Sequence, residues 1–277
     1  MIVTLDRFAE LVTREQFRLA EACLLIAEDE YPDIDIPACI AQLDAMAATI
    51  RGRLAADAFP EQKVVALNRH LFNELGFRGN TDAYYDPRNS YLNEVLERRI
   101  GIPITLSIVY LEVGRRVGLP LQGVSFPGHF LVKLRVQRGQ LVLDPFKGGE
   151  PRSESELRSR LEQVLTKRET GRLDLDRYLE PATSREIVTR VLRNLKGIYL
   201  KLGKLEQALA VMHRMLLIMP ESAEELRDRG LIYAELEAFR AAAADLQNYL
   251  RRRPDAPDAT EIHAKLVEAK AAAARLQ

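Results

Sequence analysis

The residues best suited to chemistry in this sequence are His129 and Asp144. His129 follows Pro127 and Gly128 at the start of one strand-like segment, and Asp144 ends the next, in LDPF. A side chain at such a place can be exposed and yet held rigidly. If the two segments are adjacent antiparallel strands, the aspartate reaches the imidazole and fixes its tautomer. The pair then supplies the base and the orienting residue of a nucleophilic triad, or it only ties two strands together.

A nucleophile for such a triad has four candidates. Thr105 and Ser107 lie in GIPITLS, in or near the first turn of a predicted helix, where a hydroxyl would complete a serine-type triad. Hydroxyls at this place often bond to backbone carbonyls or cap the helix instead. Cys23 and Cys39 are the two cysteines, and their apolar neighbours predict small buried side chains rather than reactive thiols.

The remaining histidines, His70, His213 and His263, fall on predicted helices and are expected at the surface or in packing. No two histidines share a helical face at ligand spacing, so neither a metal site nor a cofactor is predicted. Gly148 and Gly149 follow DPFK without the Lys-Ser/Thr of a phosphate-binding loop.

A polar segment close to these residues could bind a ligand or peptide. Its candidates are Tyr85 and Asn89 in a loop and Glu97 and Arg98 behind it. Asn and Asp are also ordinary turn and cap residues, and the cap role is favoured here.

Helices are expected to position these groups. Apolar residues recur at helical spacing from Phe8 to about Arg53, and YPDIDIP divides them into two helices because prolines lack a backbone donor. A third helix is predicted from Gln62 to about Leu75, with Gly76 ending it.

Two more helices follow a structured loop. Asn89 or Ser90 can cap a helix that runs through Arg98. Pro103 suits the first turn of another helix, which runs to Val117 and is apolar on most faces, so burial is predicted.

Period-two patterns then replace the helical ones. LQGVSF, HFLVKLRV and QLVLDPF predict antiparallel strands, the last two as a hairpin. Ser153 or Ser155 is expected to cap the helix that follows. Helices first and strands afterwards indicate an α+β fold.

A repeat occupies the C-terminal part. Tyr199 and Tyr233, Ala208 and Ala242, and Pro220 and Pro254 are each 34 residues apart, the period of a tetratricopeptide repeat. Gly230 holds the small-residue position of the second unit, and Lys196 holds it in the first. Ile262 to Leu276 is predicted as a closing helix.

Composition narrows the functional classes. The 277 residues are 47% hydrophobic and carry 40 basic and 40 acidic side chains, so nucleic acid is not an expected partner. We find no basic leader segment and no apolar stretch of membrane-spanning length, and thus expect a cytoplasmic protein with reduced thiols that does not contact membranes.

Three motifs, NSYLNEVLERRIGIPITLS, GVSFPGHFLVKL and LDPFKGG, precede the repeat in that order. Together they resemble the bacterial SirB-one family, a branch of the transglutaminase-like superfamily, over most of the chain. The resemblance implies a transglutaminase-like domain over residues 1–180, with a helical N-terminal part and a small antiparallel sheet. An all-α tetratricopeptide-type module is expected over residues 181–277.

The resemblance also implies a cysteine nucleophile near Pro103, with His129 and Asp144 in the base and orienting roles, but no thiol occurs there. We therefore expect a non-catalytic regulatory protein whose degenerate pocket binds a protein or peptide. The alternative is a hydrolase or acyltransferase on an amide or ester, with Thr105 or Ser107 as nucleophile. A third possibility is an adaptor in which only the repeat matters.

Overall fold

Amphipathic helices build the N-terminal part of the first unit of the chain, Met1–Val191. The structure, a computed structural model, describes residues 2–136, 139–165 and 174–275. Its first helices are α1 (Ile2–Val12), α2 (Leu19–Ala27), α3 (Ile36–Arg51), α4 (Pro60–Asn68), α5 (Leu92–Arg98) and α6 (Pro103–Arg116). A π-helical turn, Arg69–Glu74, extends α4, and Gly76 follows it with a φ of +74°.

The prediction of two helices between Phe8 and Arg53 is wrong, because a further break separates α1 from α2. At this break the Thr13 hydroxyl donates to the carbonyl of Glu10, and the residues that follow are mostly polar. Pro37 lies in the first turn of α3, where no backbone donor is needed, and Asp35 caps that turn.

Two small sheets complete the first unit. Strands β1 (Arg78–Gly79) and β2 (Ile100–Gly101) form a short parallel pair. The antiparallel sheet has the order β3-β4-β5-β6, with strands β3 (Gln122–Val124), β4 (Leu131–Val136), β5 (Gly139–Asp144) and β6 (Glu150–Pro151). The predicted strands and the α+β class are confirmed.

The antiparallel sheet lies between two layers of helix. Helix α6 contacts β3 and β4 and is buried from Pro103 to Gly114, as its apolar sequence predicts. The other face packs on helices α7 (Glu154–Val164) and α8 (Leu175–Tyr178) through an apolar cluster of Val124, Phe126, Leu131, Val142, Leu157, Leu161, Leu175 and Leu179. Ser153 caps α7, with Glu156 completing a capping box.

The last helix of the first unit, α9 (Ser184–Lys201), continues into the second unit, Leu192–Gln277. The sequence suggests a boundary after residue 180, whereas this division of the structure falls inside α9.

The second unit repeats with the period seen in the sequence. Helices α10 (Leu205–Ile218) and α12 (Phe239–Arg252) have 14 residues each and are displaced by 34 positions. Helix α11 (Ala223–Glu235) lies between them in sequence, and α13 (Ala259–Arg275) closes the unit. Leu276, the predicted end of that last helix, lies outside the described residues.

The small-residue position differs between the two repeat units. At Gly230 an added Cβ would lie 2.8 Å from Leu246 Cδ2, so this glycine lets α11 approach α12 closely. Lys196, its counterpart, is buried, and its Nζ donates to Glu225 at 2.6 Å and to Asp228 at 2.7 Å. Both carboxylates belong to α11, so the lysine links the first helix of one repeat to the first helix of the next.

Candidate functional site

A tight turn holds His129 at the entrance to β4. The backbone N–H of His129 donates to the carbonyl of Phe126 at 3.0 Å, and Gly128 has a φ of +65°. Proline at the second place and a positive-φ glycine at the third are what a type II turn requires. A Cβ on Gly128 would also come within 3.3 Å of Val164 at the end of α7. The PG pair before the histidine therefore fixes the direction in which the imidazole leaves the sheet.

Asp144 approaches His129 across the β4–β5 hairpin. The register pairs Val132 with Leu143, which sets Asp144 diagonally across from the residue that ends the turn. The distance from His129 Nε2 to Asp144 Oδ1 is 2.9 Å, and both side chains are buried. The backbone N–H of Phe146 also donates to Oδ1, at 3.1 Å, while Arg152 Nε lies 3.4 Å from Oδ2.

These bonds assign the tautomer of the imidazole. A carboxylate only accepts, so Nε2 carries the proton and, in the neutral ring, Nδ1 is an acceptor. Among the described residues Nδ1 forms no hydrogen bond. His129 can therefore accept a proton or a hydrogen bond from a group that is not part of the described chain.

Phe146 connects this pair to the start of α6. Its ring meets the imidazole edge to face, with centroids 6.0 Å apart at 90°. The same ring covers Gly79, where an added Cβ would lie 2.4 Å from Phe146 Cε2. Gly79 pairs with Gly101, two residues before α6 begins. The N-terminus of α6 is thus connected to the His129–Asp144 pair through Gly101, Gly79 and the ring of Phe146.

No side chain in the first turn of α6 is hydrogen-bonded to the imidazole. Pro103 occupies its first position and is buried. The Thr105 hydroxyl donates to the carbonyl of Asn89 at 2.7 Å and accepts from the N–H of Ile102 at 3.1 Å, so it caps the helix. Ser107 is fully buried, and its Oγ forms no hydrogen bond among the described residues. The structure brings neither hydroxyl into hydrogen-bond contact with His129.

The two cysteines are equally unsuited to the role. Burial raises the pKa of the Cys23 thiol far above its ordinary value, and nearby Glu112 raises it further. Burial, followed by Asp35, also raises the pKa of Cys39. A thiol needs a lowered pKa to act as a nucleophile at neutral pH, and the environment of both does the reverse.

The polar loop before α5 divides into buried and exposed members. Asn89 is completely buried, and its amide donates to the carbonyls of Ala83 and Tyr84 at 2.7 and 3.3 Å. The prediction that Asn89 or Ser90 caps α5 is wrong, because Tyr91 precedes that helix and Asn89 is committed to holding the loop closed. Tyr85 is 62% exposed.

The two other predicted binding residues lie on α5. Glu97 is exposed, and Arg98 is partly buried with its guanidinium 3.8 Å from Glu94. A ligand-binding role for Tyr85, Glu97 and Arg98 stays a prediction.

Sequence reasoning missed Phe146, Arg152 and Arg160. The guanidinium Nη2 of Arg160 donates to the carbonyl of Gly128 at 3.2 Å, next to His129. The LDPF motif contains the only signal for Phe146, because a residue two positions after Asp144 must lie beside it. The arginines approach from α7 and its preceding loop, and no local pattern indicates that.

The other histidines have structural surroundings. His70 Nδ1 lies 2.8 Å from Glu74 Oε2, and His213 Nε2 lies 2.7 Å from the Tyr233 hydroxyl. His263 is exposed. Within the described ranges, His, Cys, Asp and Glu form no group of three that could hold a metal ion. None of the described helices is both long enough and apolar enough to cross a membrane.

Comparisons with known proteins agree with this fold. A model described as the transglutaminase-like superfamily matches residues 37–193, and one described as a tetratricopeptide repeat matches residues 195–266. The chain is thus a transglutaminase-like domain followed by tetratricopeptide repeats.

Its relatives give the narrower class. A UPF0162 protein of Xylella fastidiosa is 42% identical over 93% of this chain and 92% of the relative. A UPF0162 protein of Vibrio cholerae is 34% identical over 70% and 71%, and protein SirB1 of Salmonella typhimurium is 30% identical over 74% of each chain. The chain belongs to this SirB1 and UPF0162 family, so the resemblance seen in its motifs is confirmed.

Proposed function

We propose that this protein binds a peptide or protein segment at the His129–Asp144 pair without catalysing a reaction on it. The tetratricopeptide helices of the second unit supply further interaction surface, since such repeats generally mediate protein–protein contacts. One observation carries the proposal. The imidazole is oriented by a buried carboxylate and has an unoccupied acceptor, while the nearby helix start has a buried proline in place of a nucleophile.

The chemistry of that arrangement suits recognition. An oriented imidazole acceptor can receive a hydrogen bond from a peptide N–H, and Asp144 keeps the ring from rotating away. Hydrolysis or acyl transfer needs a nucleophile within hydrogen-bond reach of the base, and neither Thr105 nor Ser107 bonds to His129. The hydroxyl-based alternative is therefore not proposed.

A binding experiment tests the first half of the proposal. Peptides are selected from random dodecapeptide libraries on the immobilised full-length protein, and their dissociation constants are measured by fluorescence anisotropy. His129→Ala should weaken binding about tenfold, the effect of losing one good hydrogen bond at an ordered site. His263→Ala, which removes an exposed histidine, is the matched control and should bind like the wild type. Equal affinities for the wild type and His129→Ala would remove the pair from the binding site.

An activity experiment tests the second half. The wild type and His129→Ala should hydrolyse nitrophenyl esters and peptide amides no faster than buffer does. A rate that disappears in His129→Ala would overturn the non-catalytic proposal, and Thr105→Val and Ser107→Ala would then show which hydroxyl takes part.

A further inference from the structure

An aromatic surface leads from solvent to the His129–Asp144 pair. Tyr84 is 39% exposed and Tyr85 is 62% exposed, and their rings meet edge to face with centroids 5.3 Å apart. Tyr84 in turn lies 6.4 Å from Phe146, whose ring contacts the imidazole. Exposed neighbouring tyrosines offer a flat amphipathic face with little side-chain entropy to lose on binding.

Two guanidinium groups border this aromatic surface. Arg160 reaches the carbonyl of Gly128 from α7. Burial is the main influence on Tyr84 and raises its pKa, while the charges of Arg190 on α9 and then Arg160 lower it, so both cations lie near enough to this tyrosine to act on it electrostatically. The two arginines belong to different helices, α7 and α9.

Neither arginine has a carboxylate partner within the described ranges. Neighbouring arginines do, since Arg88 pairs with Asp86 and Arg158 with Glu154. Arg152 lies close to Asp144, Glu150 and Glu156. The Nε of Arg160 is also buried without a hydrogen-bond partner among the described residues, and a buried donor without an acceptor is uncommon in folded proteins.

A carboxylate matches this combination of groups. The planar guanidinium binds carboxylate oxygens through paired N–H donors, and two such groups beside aromatic rings suit an acidic group next to an apolar one. A peptide provides the acidic and the apolar group within one or two residues. It also provides a backbone N–H from which His129 Nδ1 can accept a hydrogen bond.

We propose that Tyr84, Tyr85, Arg160 and Arg190 form a recognition site for a peptide carboxylate, beside the His129–Asp144 pair. This rests on the proposed function and gives its ligand a chemical class: a peptide with a carboxyl group, at its C-terminus or on an Asp or Glu side chain, next to an apolar or aromatic residue. The arginines hold the carboxylate, the tyrosines cover the apolar residue, and His129 accepts from the backbone.

The test uses the selected dodecapeptides in three synthetic forms: free acid, C-terminal amide, and amide with every Asp and Glu replaced by Asn and Gln. Binding to the full-length protein should weaken about tenfold when the recognised carboxylate is lost. Loss in the amide form assigns a terminal carboxylate, and loss only in the third form assigns a side chain. Equal binding of all three forms would overturn the inference.

Variants test the residues. Arg160→Gln/Arg190→Gln should weaken binding of the free acid about tenfold or more and leave binding of the carboxylate-free peptide unchanged. Arg158→Gln/Arg177→Gln makes the same change in net charge in the same unit and should bind like the wild type. Tyr85→Ala, at a largely exposed position that tolerates substitution, should weaken binding of every form.

The two proposals fail in different ways. If no peptide is selected, or if His129→Ala binds as the wild type does, the proposed function fails. If His129→Ala weakens binding but the double arginine variant matches its control, only the carboxylate site fails. Competition by inorganic phosphate at concentrations where acetate has no effect would assign the arginines to phosphate and overturn the peptide carboxylate.

Discussion

The two units of the chain contain polar clusters of opposite character. In the second unit Lys196 donates to two carboxylates, and Arg227 joins Asp228 to Asp258. In the first unit the imidazole of His129 uses one ring nitrogen and leaves the other without a bond among the described residues.

The polar side chains of the first cluster bond to each other and serve the fold, whereas those of the second keep a hydrogen-bonding atom that a ligand can use. Burying charged groups is costly unless every charge is paired, and the network around Lys196 meets that condition inside the protein. The pair in the first unit is oriented but incompletely bonded, and so is Arg160, whose Nε is buried without a hydrogen-bond partner among the described residues.

The largest expected effect comes from removing Lys196, whose cluster is fully paired within the protein. Lys196→Ala removes the cation of the buried Glu225 and leaves Asp228 with Arg227 alone, and we expect the free energy of unfolding to fall by about 3 to 5 kcal/mol. Urea denaturation followed by circular dichroism measures this. Lys265→Ala removes an exposed lysine paired with Glu268 and should change stability by no more than about 0.5 kcal/mol. Similar small losses for both variants would mean that the network around Lys196 is not structural.

The second-largest effect is expected at Gly230, which occupies in the second repeat unit the position that Lys196 occupies in the first. In Gly230→Ala the new methyl group would overlap Leu246, and such overpacking costs about 1 to 3 kcal/mol. Gly197→Ala is the control, because no atom lies within 4 Å of its added Cβ and alanine favours a helix by up to about 1 kcal/mol. Thermal unfolding should therefore shift in opposite directions for the two variants. Shifts of the same sign would contradict the close approach of α11 and α12.

A smaller loss of stability is expected at the incompletely bonded pair. After His129→Ala, Asp144 still accepts from the backbone of Phe146 and lies near Arg152, so the cost should be about 1 to 2 kcal/mol. The same urea experiment measures it beside Lys196→Ala. A loss as large as that of the lysine variant would show that His129 and Asp144 mainly tie the two strands together.

The smallest expected effect concerns Glu74, a surface carboxylate with several hydrogen-bond partners. Hydrogen bonds from His70 and then Arg53 lower the pKa of Glu74 from 4.5 to about 2. A carboxylate whose folded pKa is lowered stabilises the fold above its unfolded pKa, and this contribution is lost as the pH falls from 4.5 towards 2. Glu74→Gln should thus flatten the pH dependence of the unfolding midpoint in that window, with Glu61→Gln as the control. An unchanged profile would contradict the lowered pKa.

Much of this fold could be predicted because its signals are local. Pro103 and an apolar run give the buried helix α6, alternation gives β3 to β5, and the 34-residue spacing gives α10 and α12. The short pairs β1–β2 and β5–β6 were not predicted, since two-residue strands have no periodicity to detect.

The candidate site also contains one part that could be predicted from the sequence and one part that could not. His129 and Asp144 could be paired from sequence because a hairpin joins their strands. The direction of the Thr105 hydroxyl could not, because it depends on the loop that brings the Asn89 carbonyl to α6. Arg160 lies next to His129 on a helix whose own pattern describes only its apolar face.

The hairpin also has a consequence for the order in which the site forms. His129 and Asp144 are 15 residues apart, so their contact requires only the β4–β5 hairpin, and hairpins form in about 1 to 10 μs. The cover that Phe146 places over Gly79 joins distant parts of the chain and has to wait for slower closure of a long loop. During folding the imidazole should therefore be oriented before the surface around it exists, and refolding monitored at Phe146 should lag behind refolding monitored at His129.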